Sequence, residues 1–171
     1  METWDAIRAR RNVRVYSNRP IADADLDRIL EAGRRAPSAR NTQPWDFIVV
    51  RNRARLVELA KVWQGAGHIA HSEATIAIAA PLTDNDRQAG LIQYDLGQAS
   101  LLMALAGADM GIGSGHAAVG DQDLARSLLG IPSTHFLAYL LAFGYPADKP
   151  LVPLARMDRR SFADVVHRER W

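Results

Sequence analysis

The chain contains no cysteine. That absence excludes disulfides, thiolate metal sites and cysteine nucleophiles, and it fits a protein of the reducing cytoplasm. Lysine is nearly absent too, since 19 of the 21 basic residues are arginine. Excess charge is missing: the net charge of +2 is small for a globally basic nucleic-acid binder, so no nucleic-acid partner is expected. No apolar run reaches the roughly 20 residues that a bilayer span requires. The opening "METWDAIRARRNVR" has neither an apolar core nor a cleavage site, so neither a signal peptide nor a membrane role is expected. His68 and His71 are close in sequence, but no third ligand is evident beside them, so no metal site is expected. Repeats, linkers and low-complexity tracts are lacking as well. A chain of 171 residues without such boundaries reads as a single domain, 1–171, large enough to bury a core.

What is present is a mixed α and β pattern. Residues 3–11 read as a short helix. "DADLDRILEAGRRA" reads as a second, with Leu26, Ile29, Leu30 and Gly33 on one face, Asp23 or Asp25 as its cap, and Pro37 ending it. "WDFIVV" and "ATIAIAAP" are short, apolar, β-branched runs that predict buried strands, with a helix around "RARLVELAKVW" between them. "QAGLIQYDLGQASLLMALAGADMG" predicts a long helix, ended by Gly111. "DQDLARSLLG" predicts a shorter one, with Asp121 as N-cap and Gly130 as C-cap. "FLAYLLAFGY" is a third strand. The long helix is apolar nearly all round between Ala99 and Ala108, which asks for burial on every face. Either it lies at the centre of one chain, or it packs on its own sheet on one side and on a second subunit on the other. The second reading is preferred.

Four stretches carry chemistry. "RRNVR" (10–14) is a solvated helix end that satisfies the helix dipole, a nucleic-acid patch, or one wall of a phosphate site. Val13 and Val15 alternating into a core would make the chain extended by Arg14. "PSARNTQPW" (37–45) is either a turn that satisfies its own backbone or a polar edge that hydrogen-bonds a flat heterocycle. "MGIGSGHAAVGD" reads as a glycine-rich loop, with His116 either a polar core residue or a site residue. The tail "RMDRRSFADVVHRERW" is basic, and Val165, Val166 and Trp171 suggest that it docks on something.

Together and in this order, "RRNVR", "PSARNTQPW", "MGIGSGHAAVGD", "LLGIP", "LAFGYP" and the tail resemble the nitroreductase family of flavin enzymes from about Trp4 to Trp171. The resemblance implies an α+β fold with a central, mainly antiparallel sheet flanked by helices and an extended C-terminal tail that embraces a dimer partner. It implies a homodimer binding FMN at the subunit interface. NADH or NADPH would be the reductant, and nitroaromatic, quinone or related electron-poor molecules the acceptors. Hydride would pass through flavin N5 with ping-pong kinetics. The same scaffold also carries reductive dehalogenation, enone reduction and flavin fragmentation, and a non-catalytic FMN-binding module is a further alternative. No dinucleotide fingerprint is expected, because the nicotinamide would stack only transiently over the flavin.

Carried over residue by residue, the resemblance puts Arg10, Asn12 and Arg14 on the flavin, with Arg10 at the phosphate and Arg14 at the pyrimidine end. Asn12 stands where the family often has serine, and Arg11 lies in the same run. Pro37, Ser38, Ala39 and Asn41 would come from the partner and line the ring edge, while Arg40 would face the substrate channel. His116 would lie at the site, and the backbone N–H groups of Ala118 and Val119 would approach flavin N5 and O4. From the tail, Arg159 is the best match for a second phosphate ligand, with Arg156 and Arg160 as substitutes. The flavin itself carries the chemistry, so no catalytic side chain is expected.

Overall fold

The computed structural model describes residues 1–155 and 158–171; the candidate phosphate ligand Arg156 lies outside the described residues. In chain order the elements are α1 (Thr3–Ala9), α2 (Asp23–Arg34), β1 (Asp46–Val50), α3 (Arg53–Leu59), β2 (Ala74–Pro81), α4 (Asp86–Asp109), β3 (Gly113–Ala117), α5 (Gln122–Leu129) and β4 (His135–Gly144). The four strands form one sheet in the order β1-β2-β4-β3, with every neighbouring pair antiparallel. This is the α+β arrangement that the sequence suggested.

Strand β2 explains the two-sided architecture. All but its last residue are buried, as expected of a strand covered on both faces. Ile76 and Ile78 point into a core with Leu26 and Ile29 of α2 and Leu96 and Met103 of α4. Ala77 and Ala79 point the other way, to Leu56 and Leu59 of α3 and Ala125 of α5. Helices α2 and α4 can approach closely because position 33 is glycine: a Cβ there would meet the Met103 side chain at 2.7 Å.

Several local expectations are corrected. Helix α1 stops at Ala9 rather than at residue 11, because Arg10 already has extended geometry with ψ 124°. Helix α2 takes Ala22 as its N-cap, without a side-chain cap; Asp23 pairs with Arg51 across the fold instead. Asp121 and Gly130 do cap α5, the former accepting from the Leu124 N–H and the latter adopting φ 69°. The glycine-rich stretch is a strand, β3. Glycine has poor strand propensity, but the backbone here pairs with β4 along its whole length.

Central burial of 99–108 within one chain is not what the fold provides. Ala99, Ser100, Met103, Ala104, Gly107 and Ala108 are buried, yet Leu101 is 50% exposed. Leu91 and Tyr94 continue that exposed stripe towards the start of the helix, at 44% and 68%. No described helix is long and apolar enough to cross a membrane.

Candidate functional site

The first wall of the site is the extended segment that leaves α1. Asn12 bridges Ser114 of β3 in parallel fashion, and Tyr16 bridges Pro146 just beyond β4. The Val13 N–H donates to the Ser114 carbonyl at 2.9 Å, and the Ala147 N–H donates to the Val15 carbonyl at 3.1 Å. Val13 and Tyr16 point inward and are buried, whereas Val15 is 62% exposed. The expected alternation of Val13 and Val15 therefore fails, although the chain is extended as expected. Glycines in β3 permit the close approach. A Cβ at Gly115 would meet the Val13 carbonyl oxygen at 2.4 Å, and one at Gly113 would meet the Val13 side chain at the same distance.

This packing sends the basic side chains to different places. Arg11 pairs with Asp148 at 3.0 Å and also donates to the Lys149 carbonyl, so it ties the first segment to the chain after β4. Arg10 lines a cleft of about 180 Å³ together with His116, Ser100, Leu101 and Ala104. Arg14 lines a second cleft, of about 510 Å³, with Asn18, Arg53 and His71. His116 lies between them electrostatically. Burial, then the Arg10 and Arg14 guanidinium groups and His68, hold its imidazole below the ordinary value of 6.5. The neutral form is therefore favoured near neutral pH.

Two buried polar atoms beside this wall have no hydrogen-bond partner: Nε2 of His68 and Oγ of Ser114. His68 packs against Gly115. Its imidazole is also held below the ordinary value, chiefly by burial and secondarily by Arg14, with backbone contacts at Gly115 and Gly65 opposing the shift. Unmet polar groups inside a fold are costly, and they point to a ligand or to water. Among the described residues no group of three His, Asp or Glu side chains could hold a metal.

The second wall is the loop after α2. The Ser38 hydroxyl accepts the Gln43 N–H at 2.9 Å, and the Thr42 hydroxyl donates to the Ala39 carbonyl at 3.0 Å. Those side chains thus satisfy the loop's own backbone. Arg40, Asn41 and Gln43 all take positive φ, at 54°, 57° and 49°. A run of non-glycine residues in this region is strained. The loop is held from below by Asp95, a carboxylate only 2% exposed, which accepts the Ala39 N–H at 3.0 Å. Ala39 and Arg40 line a third cleft, of about 550 Å³. Asp95 was not singled out from the sequence, although an acid inside the run "LIQYDLGQASLLM" is itself a signal, since buried charges are paired. His68 stands out in the sequence only beside His71, as half of a metal pair without a third ligand.

The structure brings Arg10 and His116 into one cleft, puts Arg14 in another, and places the Pro37–Asn41 loop elsewhere along α4. The cleft of the first wall borders Leu101 and Ala104, whereas that of the second borders Leu91 and Asp95. Leu91 and Leu101 are ten residues apart, about 15 Å along a helix axis. Ala118 is exposed and Val119 half-buried, immediately after β3. Arg159 and Arg160 lie in the exposed tail, where they donate to the backbone carbonyls of Asp158 and Asp164.

The Nitroreductase family pattern matches residues 7–80, from α1 through β2. A protein of Archaeoglobus fulgidus, named "Putative NADH dehydrogenase/NAD(P)H nitroreductase", is 34% identical over 99% of both chains. An NADH dehydrogenase of Thermus thermophilus is 30% identical over 82% of this chain and 84% of its own. A shorter match, 38% over 48 residues, covers 28% of this chain and 18% of the iodotyrosine deiodinase of Hydra vulgaris. Among solved structures, an FMN-dependent nitroreductase of Clostridium difficile superposes with a TM-score of 0.85 over 97% of this chain and 98% of its own, at 22% identity, a likeness of fold. The full-length relative, the pattern matched over residues 7–80 and the shared fold agree: this chain belongs to the nitroreductase family.

Proposed function

We propose that the protein is an FMN-dependent NAD(P)H oxidoreductase that acts as a homodimer, with two flavin sites shared between the chains. The observation that carries this reading is the first wall. Two arginines without carboxylate partners among the described residues stand on one extended segment, Arg10 in a cleft with His116 and Arg14 in a second cleft. Those residues fit the group. Arg10 suits a phosphate, as a planar donor with charge-assisted hydrogen bonds. Asn12 and Arg14 suit the polar edge of a ring. Arg159 would add a second phosphate contact, and the Ala118 and Val119 N–H groups would face the reacting side of the ring.

When bound, FMN supplies the centre that takes hydride from NADH or NADPH and passes it to a nitroaromatic, quinone or related electron-poor acceptor. The protein binds, orients and tunes. Arg10 would hold the phosphate end and Arg14 would place a cation beside the pyrimidine end. A reductant and an acceptor that used the same space in turn would give ping-pong kinetics.

The dimer reading rests on the exposed stripe Leu91, Tyr94 and Leu101. In a two-fold pair whose axis runs across α4 between Leu91 and Leu101, the Leu91 end of one helix faces the Leu101 end of the other. That brings Pro37, Ser38, Ala39 and Asn41 of the partner subunit towards the Arg10 wall and completes the site. The tail supports the same reading, because Phe162, Val165 and Trp171 are exposed at 72%, 50% and 99% among the described residues. A tail that embraces the partner would bury them. The absence of cysteine favours a cytoplasmic location.

A second reading, reductive dehalogenation on the same flavin, has one specific support: the short match to iodotyrosine deiodinase. The test is anaerobic. The purified protein is expected to be yellow, to bleach on addition of NADH or NADPH, and to regain colour with nitroaromatics or quinones. Recovery with halogenated phenols alone favours the second reading. A colourless protein that takes up no FMN, or a monomer in sedimentation that holds FMN tightly, overturns the proposal.

A further inference from the structure

Several arginines of the fold are paired, among them Arg11 with Asp148, Arg28 with Asp109, Arg53 with Glu73 and Arg126 with Asp123. The cleft of about 550 Å³ beside the Pro37–Asn41 loop is different. It is lined by Arg40 from the loop and Arg87 from the first turn of α4, and neither has a carboxylate within ion-pair distance among the described residues. Its one acidic lining residue is Asp95, whose Oδ2 is already engaged by the Ala39 N–H. Asp86 precedes Arg87 on the helix but does not line the cleft. Two guanidinium groups thus face one buried, occupied carboxylate, leaving an excess of positive charge in a concave space.

The remaining lining gives that space a chemical character. Pro44, Pro81, Leu91 and Ile92 form apolar walls. Gln88 accepts from the Thr83 hydroxyl at 3.1 Å through its Oε1, which leaves its amide N–H groups for a ligand. Arg40 has a left-handed backbone, and the Asp95 bond to the Ala39 N–H anchors the chain beside it. Apolar walls with planar cationic donors at one end suit a flat organic body that carries an anionic group.

We propose that this cleft is an anion subsite of the reactant space, which selects a reactant with an aromatic or heterocyclic body and a carboxylate or phosphate held by Arg40 and Arg87. The inference rests on the flavin-enzyme reading above, since it assigns the cleft to molecules that approach the flavin. The anion has two possible sources: the acceptor or the 2′-phosphate of NADPH.

The experiment compares wild type with Arg40→Gln, Arg87→Gln and the double variant, all in the FMN-bound protein. One arm measures kcat/KM for 4-nitrobenzoate relative to the neutral 4-nitrobenzyl alcohol. The other measures the rate of anaerobic reduction by NADPH relative to NADH. Loss of charge-assisted contacts is expected to lower one of these ratios by about tenfold or more in the double variant, through KM rather than kcat. A fall in the first ratio assigns the anion to the acceptor; a fall in the second assigns it to the reductant. Both ratios within about twofold of wild type overturn the proposal, that range being less than one weak hydrogen bond. Calorimetric titration with 4-nitrobenzoate and 2′-AMP, against 4-nitrobenzyl alcohol and adenosine, reads the cleft without turnover. If wild type binds no FMN, the flavin reading falls, and the titration still decides: binding of an anionic probe that the double variant loses supports the subsite, and no such binding removes it.

Discussion

The two walls of the candidate site are built in opposite ways. In residues 10–16 the backbone is paired on both sides, to β3 at Asn12 and to the chain after β4 at Tyr16, so the side chains of Arg10 and Arg14 are free to serve a ligand. In residues 37–43 the Ser38 and Thr42 side chains are spent on the loop itself, the backbone is strained at three positions, and one buried carboxylate holds it down. The first wall offers charge on a relaxed backbone. The second offers shape held at some energetic cost. A wall of the first kind is damaged by removing a side chain, and one of the second kind by removing its anchor.

The comparison breaks most severely at Gly115. Gly115→Val drives a side chain into the Val13 carbonyl and should cost about 3 kcal/mol or more, read as a lower denaturant midpoint together with lost FMN binding. Arg10→Gln leaves the fold intact and should weaken FMN binding by about 10- to 100-fold, the worth of one charge-assisted contact at 1.5–3 kcal/mol; flavin fluorescence titration measures it. Asp95→Ala should cost about 1.5–3 kcal/mol of stability by releasing the Ala39 N–H. Asp95→Asn, which keeps an acceptor, should cost less in the same unfolding assay, and an equal loss in both would mean that the charge and not the hydrogen bond holds the loop.

Arg14→Gln sharpens the division within the first wall. It should lower the flavin midpoint potential and slow reduction by NAD(P)H with FMN still largely bound, because a fixed cation favours the more negative reduced ring. If Arg10→Gln produces the larger shift in potential, the two arginines are assigned to the wrong ends. The gentlest perturbation is acid. His68 and His116 are both held below 6.5 in the folded protein, so on acidification the unfolded chain gains protons that the folded chain refuses. Stability of the FMN-free protein should therefore fall as the pH drops from about 7 to about 5. His68→Gln should flatten that fall in denaturant titrations at each pH.

Local chemistry made much of this legible in advance. The β-branched runs of β1 and β2, the caps of α5 and the polar loop after α2 follow from residues within a few positions of one another, where propensity and capping act. The Arg10–Arg14 cluster and "PSARNTQPW" stand out in the sequence as polar stretches, and the family resemblance makes them the two walls of the candidate site. Long-range packing decided the rest. Whether "GIGSG" is loop or strand depends on β4, more than twenty residues later, and on the glycines admitting Val13. Asp23 gave up its expected cap for Arg51, and Val15 turned outward because Tyr16 took the buried place. Asp95 becomes an anchor only once α4 lies beneath the Ala39 N–H, and Arg40 and Arg87 become one cleft only when the fold sets loop and helix side by side. The sequence by itself determined which residues had chemistry to offer. The tertiary structure alone decided which stand together, because hydrogen bonds and charges act over a few ångströms while their partners are tens of residues apart along the chain.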